Sequence, residues 1–307
     1  MATTCGAERE RIFSIRSLTF ICIYRNFFVP LHRPLKNQLN LSKNMEVQFV
    51  NMTKEDFLSK KRLHKFMPLE NALKTLSNQE LWFADPSTWK DPFEKRFLDS
   101  DYVDVNDEEK SIPYGKRTYC MCTTQTQTSE AYWNAYSQKQ IGVEFILNRQ
   151  ELLNQLEAYT DSYDVYVGQV EYMRTSEIRK AKISEIPFST PLPNNTKDIF
   201  VRLMLLKRIA YQYEDEIRII LIKKRAVAGD KPIGVNLGYS CVNQSLINFI
   251  ILDPSIAQYT TDLLKETFQS KYGFEPFINP DTGQKVPFVL KSSLYSKQNR
   301  STLIWDV

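Results

Sequence analysis

The chain has 307 residues, of which 42% are apolar, 25% charged and 12% aromatic, with only 9 glycines. This composition excludes collagen-like, low-complexity and intrinsically disordered proteins, because it supplies enough apolar surface to build a core. The formal net charge of +4 would suit a protein that binds nucleic acid or a membrane surface, so its position along the chain matters.

The basic excess lies in the first 44 residues. They carry a net charge of +5, which leaves −1 for residues 45–307. We therefore predict a poorly ordered basic extension over residues 1–44 and a single near-neutral domain over residues 45–307, without a strong nucleic-acid signal. The apolar stretch at residues 18–24 is far shorter than the roughly 20 residues that cross a membrane, and it lacks the cleavage site of a signal peptide. No membrane segment is expected.

The cysteines and histidines restrict the possible chemistry. Five cysteines, an odd number spread along the chain, form no disulfide framework and favour a reducing, cytoplasmic location. Cys120 and Cys122 would share one face of a strand, but the chain has too few further ligands for a structural zinc site, so no metal is expected. A serine or cysteine hydrolase would need His64 as its base, and the nucleophile elbow, the Walker loop and the dinucleotide fingerprint are all absent from the sequence.

Patterns of apolar and turn residues predict an alternation of strands and helices. In chain order they are a strand at 63–66, a helix at 69–78, strands at 81–83 and 118–123, a helix from 129 to 136, a strand at 141–147, a helix from 148 to 156, a strand at 166–173, a helix at 198–210, strands at 216–222, 233–237 and 247–252, a helix at 262–272 closed by Gly273, and a strand at 286–290. Because there is no regular βαβ repeat, the prediction is an α+β fold with a mixed, largely antiparallel sheet and flanking helices in a single domain. The apolar strand at 216–222 should be central and covered on both faces.

The most suggestive polar cluster enters that central strand. If the strand alternation holds from residue 214, then Glu214, Glu216 and Arg218 point to one face. Two carboxylates entering so apolar a strand are costly unless they are paired or used. Ion pairs of Glu216 with Arg218 or of Lys207 with Glu214 are the structural alternative to a catalytic role. Trp82, Trp89 and Trp133, with Tyr132 and Tyr136, form either an aromatic pocket wall or ordinary core.

Ordered motifs across residues 60–295 resemble domain-of-unknown-function family 2971, which is mostly bacterial. They are a first strand at residues 63–66, Leu81-Trp82-Phe83 followed by Trp89 and Asp91-Pro92-Phe93-Glu94, then Trp133, Tyr136, Gly142 and Phe145, then Val170-Glu171-Tyr172, and finally Lys207, Tyr211, Tyr213, Glu214, Glu216 and Arg218. The chain departs from the family pattern at Lys90, at Tyr211, and at Asn134-Ala135, where the family commonly has Ser-His. That last difference puts in doubt any activity that depends on the family histidine.

A weaker resemblance, to ADP-ribosyltransferases, implies a reaction. It implies NAD as the substrate, with Glu216 as the catalytic carboxylate that stabilises an oxocarbenium-like transition state and Glu214 as its helper on the acceptor side. It further implies substrate-binding and supporting residues: His64, Lys65, Trp133, Tyr136 and Arg218 around the substrate, and Trp82, Asp91, Glu94 and Lys207 behind them.

The competing hypothesis is a non-enzymatic interaction module, toxin-like or part of phage defence, in which Glu214 and Glu216 form structural ion pairs. The family name carries no reaction, so the geometry of the site has to separate the two hypotheses. The partner and the oligomeric state cannot be read from the sequence.

Overall fold

The computed structural model describes residues 46–60, 62–98, 101–103, 109–126, 129–137, 141–180, 182–193, 195–225, 231–278 and 283–296. Its strands are β1 (Gln48–Val50), β2 (Leu63–Pro68), β3 (Glu80–Ala84), β4 (Asp101–Val103), β5 (Glu109–Ser111), β6 (Thr118–Thr124), β7 (Gly142–Leu147), β8 (Tyr163–Gln169), β9 (Glu171–Met173), β10 (Leu206–Arg208), β11 (Glu216–Lys223), β12 (Gly234–Gly238), β13 (Ile247–Leu252), β14 (Phe277–Ile278), β15 (Lys285–Val286) and β16 (Val289–Lys291). Its helices are α1 (Lys54–Ser59), α2 (Leu69–Asn78), α3 (Pro92–Lys95), α4 (Glu130–Ser137), α5 (Arg149–Glu157), α6 (Thr175–Ile178), α7 (Thr196–Met204), α8 (Asn243–Leu246) and α9 (Gln258–Tyr272). Short 3-10 helices cover Pro86–Thr88, Gly115–Arg117, Ile183–Glu185 and Ile209–Glu214. The basic extension predicted for residues 1–44 lies outside the described residues.

A ten-stranded mixed sheet organises the domain. Its main path runs β1-β8-β11-β6-β2-β7-β13-β16, and β3 joins β6 and carries β12 on its other edge. The pairs β1 with β8 and β13 with β16 are parallel, whereas the pairs around β11, β2 and β7 are antiparallel. The predicted α+β class, with a largely antiparallel sheet, is confirmed.

Both faces of the sheet are covered. One apolar cluster packs helices α1, α2, α5 and α9 against the sheet through residues such as Phe57, Leu76, Leu152 and Phe268. A second cluster packs α7 on the opposite face, where Phe200 and Met204 contact Ile220. Strand β11 lies between β8 and β6 and is buried along seven of its eight residues. This confirms the prediction of a central strand that is covered on both faces.

Local sequence signals set several helix ends. The Asn148 side chain accepts a hydrogen bond from the Glu151 backbone N–H and caps α5, as its position predicts. Gly273 ends α9 in a left-handed conformation, with φ of 76°, where glycine has no steric penalty. Helix α1 was not predicted, although Thr53 and Asp56 form a capping box there.

Three predicted elements were wrong in extent. The helix predicted for residues 198–210 ends at Met204, and the chain continues as strand β10, which pairs with β9. Tertiary pairing overrides the helical pattern here and puts Lys207 on a strand. The strand predicted for residues 166–173 divides into β8 and β9, and the one predicted for 286–290 divides into β15 and β16. Among the described residues, no helix has the length and apolar character that crossing a membrane requires.

Candidate functional site

Five predicted site residues meet on one face of the sheet and form what we call the charged cluster: Glu94, Lys207, Glu214, Glu216 and Arg218. They come from α3, from β10, from the 3-10 helix before β11, and from β11 itself. Their side chains are buried or half-buried, with exposures from 1% for Arg218 to 19% for Glu214. Glu94 is thus brought to four charges that lie close together in the sequence, at residues 207–218.

The contacts in the charged cluster are close and reciprocal. The Lys207 Nζ atom donates to Glu214 Oε2 at 2.6 Å and to Glu216 Oε2 at 3.1 Å, and lies 3.4 Å from Glu94 Oε1. The Arg218 guanidinium donates from Nε to Glu216 Oε1 at 2.8 Å and from Nη2 to Glu94 Oε1 at 2.8 Å. Both carboxylate oxygens of Glu216 are therefore engaged by cations. Charge-assisted bonds of this kind stabilise a buried pair only when the geometry is complete, as it is here.

Glu214 and Glu216 approach the same lysine in a way that the sequence did not predict. Glu214 ends a 3-10 helix and does not belong to the strand, so the predicted alternation from residue 214 was wrong. Between them Asp215 adopts a left-handed conformation, with φ of 39°, a region in which aspartate is enriched. The backbone turn at Asp215 brings both carboxylates to Lys207.

A glycine lets α7 approach Arg218. Gly168 on β8 pairs in register with Arg218, and a Cβ atom there would lie 2.4 Å from the Cδ1 atom of Leu205. The close approach allows Arg218 Nη1 to donate to the Met204 carbonyl oxygen at 2.5 Å. The glycine therefore serves the packing of the charged cluster.

Aromatic rings enclose the same charges. The Trp89 ring lies 4.3 Å from the Arg218 guanidinium carbon, and the Tyr211 ring lies 5.1 Å from Lys207 Nζ. Both contacts are within cation–π range. The Tyr172 hydroxyl accepts a hydrogen bond from the Glu216 backbone N–H at 2.9 Å. Of these, Trp89 was predicted to belong to an aromatic wall or to the core, whereas Tyr211 stood in the sequence motif without a predicted role at the site.

The pKa values follow from this pairing. Burial alone would raise the pKa of Glu216, but Arg218 and Lys207 hold it well below its usual range. Burial would lower the pKa of Lys207, yet the carboxylates, Glu216 foremost, raise it above its usual range. Burial raises the pKa of Glu214, and Lys207 only partly offsets that effect. Glu214 is thus less fully compensated than Glu216.

Asp91 lies beside the charged cluster and has a different role. It accepts from the Phe93 backbone N–H and so caps α3, the helix that carries Glu94. Its second oxygen accepts from Arg208 Nε at 3.0 Å. Asp91 therefore positions Glu94 through the helix and contacts none of the other charges in the cluster.

His64 does not join the charged cluster. Its Nδ1 atom contacts Glu144 Oε1 on the neighbouring strand β7, and both side chains are buried. Its Nε2 atom has no hydrogen-bond partner among the described residues. Glu144 was missed by the sequence analysis, although a lone carboxylate within the apolar run of β7 signals a buried partner.

A cavity of about 600 Å³ lies where the sheet splits. Strand β6 pairs with β2 at His64–Thr124 and with β3 at Ala84–Cys120, and Met121 lines the cavity between these two bridges. The described wall also includes three of the predicted site residues, Lys65, Trp82 and Tyr136, together with part of helix α2. The cavity thus brings together predicted residues that the charged cluster does not include.

Lys65 is the half-buried cation of this cavity. Its Nζ atom donates to the Cys122 carbonyl oxygen at 2.9 Å, and no carboxylate among the described residues lies within ion-pair distance. Burial lowers the pKa of Lys65 below its ordinary value of 10.5, and the more distant charge of Glu216 opposes that effect only in part. Tyr136 lies on the cavity wall, and burial raises the pKa of its phenol, so it stays a hydrogen-bond donor at neutral pH.

The remaining aromatic residues divide between wall and core. Trp82 is 43% exposed on the wall of the cavity. Trp133 is buried and packs edge-on against Phe66, with ring centroids 5.2 Å apart, which makes it a core residue. Among the described residues, no group of three or more His, Cys, Asp or Glu side chains is arranged to hold a metal ion.

The fold and the site together define an α+β protein with a largely buried charge cluster and a nearby cavity. Its residues 132–219 match the model of a protein family of unknown function (DUF2971), which confirms the predicted resemblance to that family over this segment. The matched segment contains Lys207, Glu214, Glu216 and Arg218. No curated protein and no solved structure matches the chain.

Proposed function

We propose that the protein binds a small organic anion with an apolar, flat body in the cavity beside Lys65. The observation that carries the proposal is the Lys65 ammonium, which faces a ligand-sized cavity and has no carboxylate partner among the described residues. A desolvated charge without a counter-ion is costly, and a ligand carboxylate, sulfonate or phosphate would remove that cost.

The size and lining of the cavity support a small-molecule ligand. Ligand sites are commonly concave, about 300–1,000 Å³ in volume, and mostly apolar, with a few polar groups that fix orientation. Here Phe66, Met67 and Leu81 supply apolar wall, while Asn71 and Asn236 supply amide groups. Lys65 would hold the anionic group, and the Tyr136 hydroxyl would orient it.

NAD-dependent ADP-ribosyl transfer by Glu216 and Glu214 stays a prediction, and the geometry supports it less. A carboxylate that stabilises an oxocarbenium-like transition state has to face the sugar, whereas both oxygens of Glu216 accept from Arg218 or Lys207. Glu214 is more accessible, with 19% exposure and a raised pKa. Product analysis with NAD separates the hypotheses: ADP-ribosyl transfer or NAD hydrolysis that Glu216→Gln abolishes would establish the enzymatic one.

A reducing compartment such as the cytoplasm belongs to the same proposal. Cys120, Cys122 and Cys241 are all free thiols, which supports such a location.

The binding proposal is tested with anilinonaphthalene sulfonate, an aromatic anion whose fluorescence rises in an apolar site. We expect saturable binding to one site, and about tenfold or greater weakening in Lys65→Met, since one charge-assisted contact is worth that much. Lys54→Met is the matched control, because Lys54 is 39% exposed and pairs with Glu157 outside the cavity wall.

Two results would contradict the proposal. One is the absence of saturable binding in the wild-type protein. The other is equal affinity in the wild-type, Lys65→Met and Lys54→Met proteins, which would place the dye on another apolar surface.

A further inference from the structure

We infer that a second hollow, on the other face of β2, binds a phosphate group through His64. The hollow measures about 350 Å³ and lies over strands β2, β7, β13 and β16, with residues 292–294 at its rim. His64 and Glu144 form part of its wall, with Arg62, Lys291, Ser292 and Ser293. Nothing in the binding proposal for Lys65 depends on this hollow.

The unsatisfied nitrogen of His64 is the first observation that points to a ligand. The residue is 2% exposed, and its Nε2 atom has no hydrogen-bond partner among the described residues. Buried polar atoms are paired in the great majority of cases, so an unpaired one on the wall of a hollow marks a place for an incoming group. Glu144 engages Nδ1, so Nε2 is the ring nitrogen left for that group.

The charge around the hollow is the second observation. Arg62 is exposed, and its guanidinium has no ion-pair partner among the described residues. The hydroxyls of Ser292 and Ser293 add donors at the rim. A guanidinium and hydroxyl donors around one hollow suit an anion with several oxygens.

A phosphate group satisfies His64 in either of its protonation states. With Nδ1–H donated to Glu144, neutral His64 offers a lone pair at Nε2, which a P–OH group can fill. Protonated His64 offers an N–H, which a P–O⁻ group accepts. Phosphate presents both kinds of oxygen near neutral pH, because its second ionisation falls at about pH 6 in esters. A carboxylate is ionised at neutral pH and presents only acceptors.

The two proposed sites share a strand and remain separate in space. Consecutive residues of a strand point to opposite faces, so His64 and Lys65 serve different cavities. Among the described acids, Glu144 faces the hollow, and Glu130 accepts a hydrogen bond from the Tyr295 hydroxyl at 3.1 Å, one residue beyond the rim.

The test measures binding of inorganic phosphate, glycerol phosphate and acetate by calorimetry. We expect at least one of the two phosphates to bind with a Kd of about 1 mM or tighter, and acetate to bind at least tenfold more weakly. Arg62→Gln and His64→Gln should each weaken phosphate binding about tenfold. Arg225→Gln is the matched control, since Arg225 is also exposed and does not line the hollow.

Each outcome either supports or overturns the inference. Binding of inorganic phosphate alone identifies a free-phosphate site, and binding of glycerol phosphate identifies a phosphomonoester site; both support the inference. Absence of binding by either phosphate, equal affinity for acetate, or full affinity in Arg62→Gln overturns it. Arg62 is exposed, so its variant tests the inference even if His64→Gln fails to fold.

Discussion

Two lysines near the split in the sheet have opposite electrostatic surroundings. Lys207 contacts the carboxylates of Glu94, Glu214 and Glu216, and its pKa is raised. Lys65 contacts a carbonyl oxygen and no carboxylate among the described residues, and its pKa is lowered. A charge that the protein itself compensates holds the fold together, whereas a charge left without a counter-ion beside a cavity is available to a ligand.

The comparison also separates the two groups of predicted site residues. Glu216 and Arg218 satisfy each other within β11, and both side chains are nearly inaccessible. Lys65 and Tyr136 face the cavity. A residue in or near the Glu-x-Glu pattern is therefore less useful for locating a ligand site than an unpaired cation on a cavity wall.

The largest effect is expected from removing the central cation of the charged cluster. Arg218→Met leaves Glu216 buried without its main partner, which costs about 3–5 kcal/mol in the free energy of unfolding. Urea unfolding measures the loss, with the exposed Arg225→Met as the control. A loss below about 1 kcal/mol would mean that the cluster is not structural.

A smaller loss in the free energy of unfolding is expected when the pH is lowered. The folded-state pKa of Glu216 lies well below its ordinary value of 4.5, so its contribution is present above pH 4.5 and is lost as the pH falls. Between about pH 5 and pH 3 this amounts to about 2 kcal/mol, because an unfolded carboxylate takes up a proton that the folded one does not. Glu216→Gln should flatten this acid limb when unfolding is measured across that range. An unchanged acid limb in the variant would contradict the low pKa.

The smallest effect on stability is expected at Lys65. Lys65→Met loses one hydrogen bond to the Cys122 carbonyl oxygen and removes an uncompensated charge, so the free energy of unfolding should stay within about 1 kcal/mol of the wild type at neutral pH. Because the folded pKa of Lys65 is lowered, the cost of its charge is present below that pKa and disappears as the pH rises toward 10.5. The free energy of unfolding of Lys65→Met, relative to that of the wild type, should therefore be higher at neutral pH than near pH 10.5. A loss of about 3 kcal/mol, measured by urea unfolding, would assign Lys65 to the charged cluster.

The sequence predicted the frame of the fold well, because its signals are local. The apolar strand predicted at 216–222 and the cap at Gly273 depend on neighbouring residues, and both were confirmed. The predicted end of α7 was wrong, because the residues after the helix form β10, a strand that exists only through pairing with β9. Pairing between distant segments leaves no local signal.

The contacts of the candidate site also divide into those that the sequence indicated and those that only the fold creates. The pairing of Glu216 with Arg218 and of Lys207 with Glu214 was weighed as the structural alternative, and both contacts are present. The pairing of His64 with Glu144 joins residues 80 positions apart, so no spacing rule could reveal it. The cavity beside Lys65 arises from the split between β2, β3 and β6, a consequence of sheet topology that composition does not encode.

The most direct test of the distinction between the two lysines is an NMR pH titration of the lysine side chains, with the Lys65 signal assigned through Lys65→Met. In the free protein we expect Lys65 to titrate below 10.5, whereas Lys207 should remain protonated beyond that pH. Saturation with anilinonaphthalene sulfonate should raise the pKa of Lys65 and leave Lys207 unchanged, because the bound anion supplies the missing counter-charge. An ordinary pKa for Lys65 that the dye does not move would contradict the assignment of this cavity as the binding site.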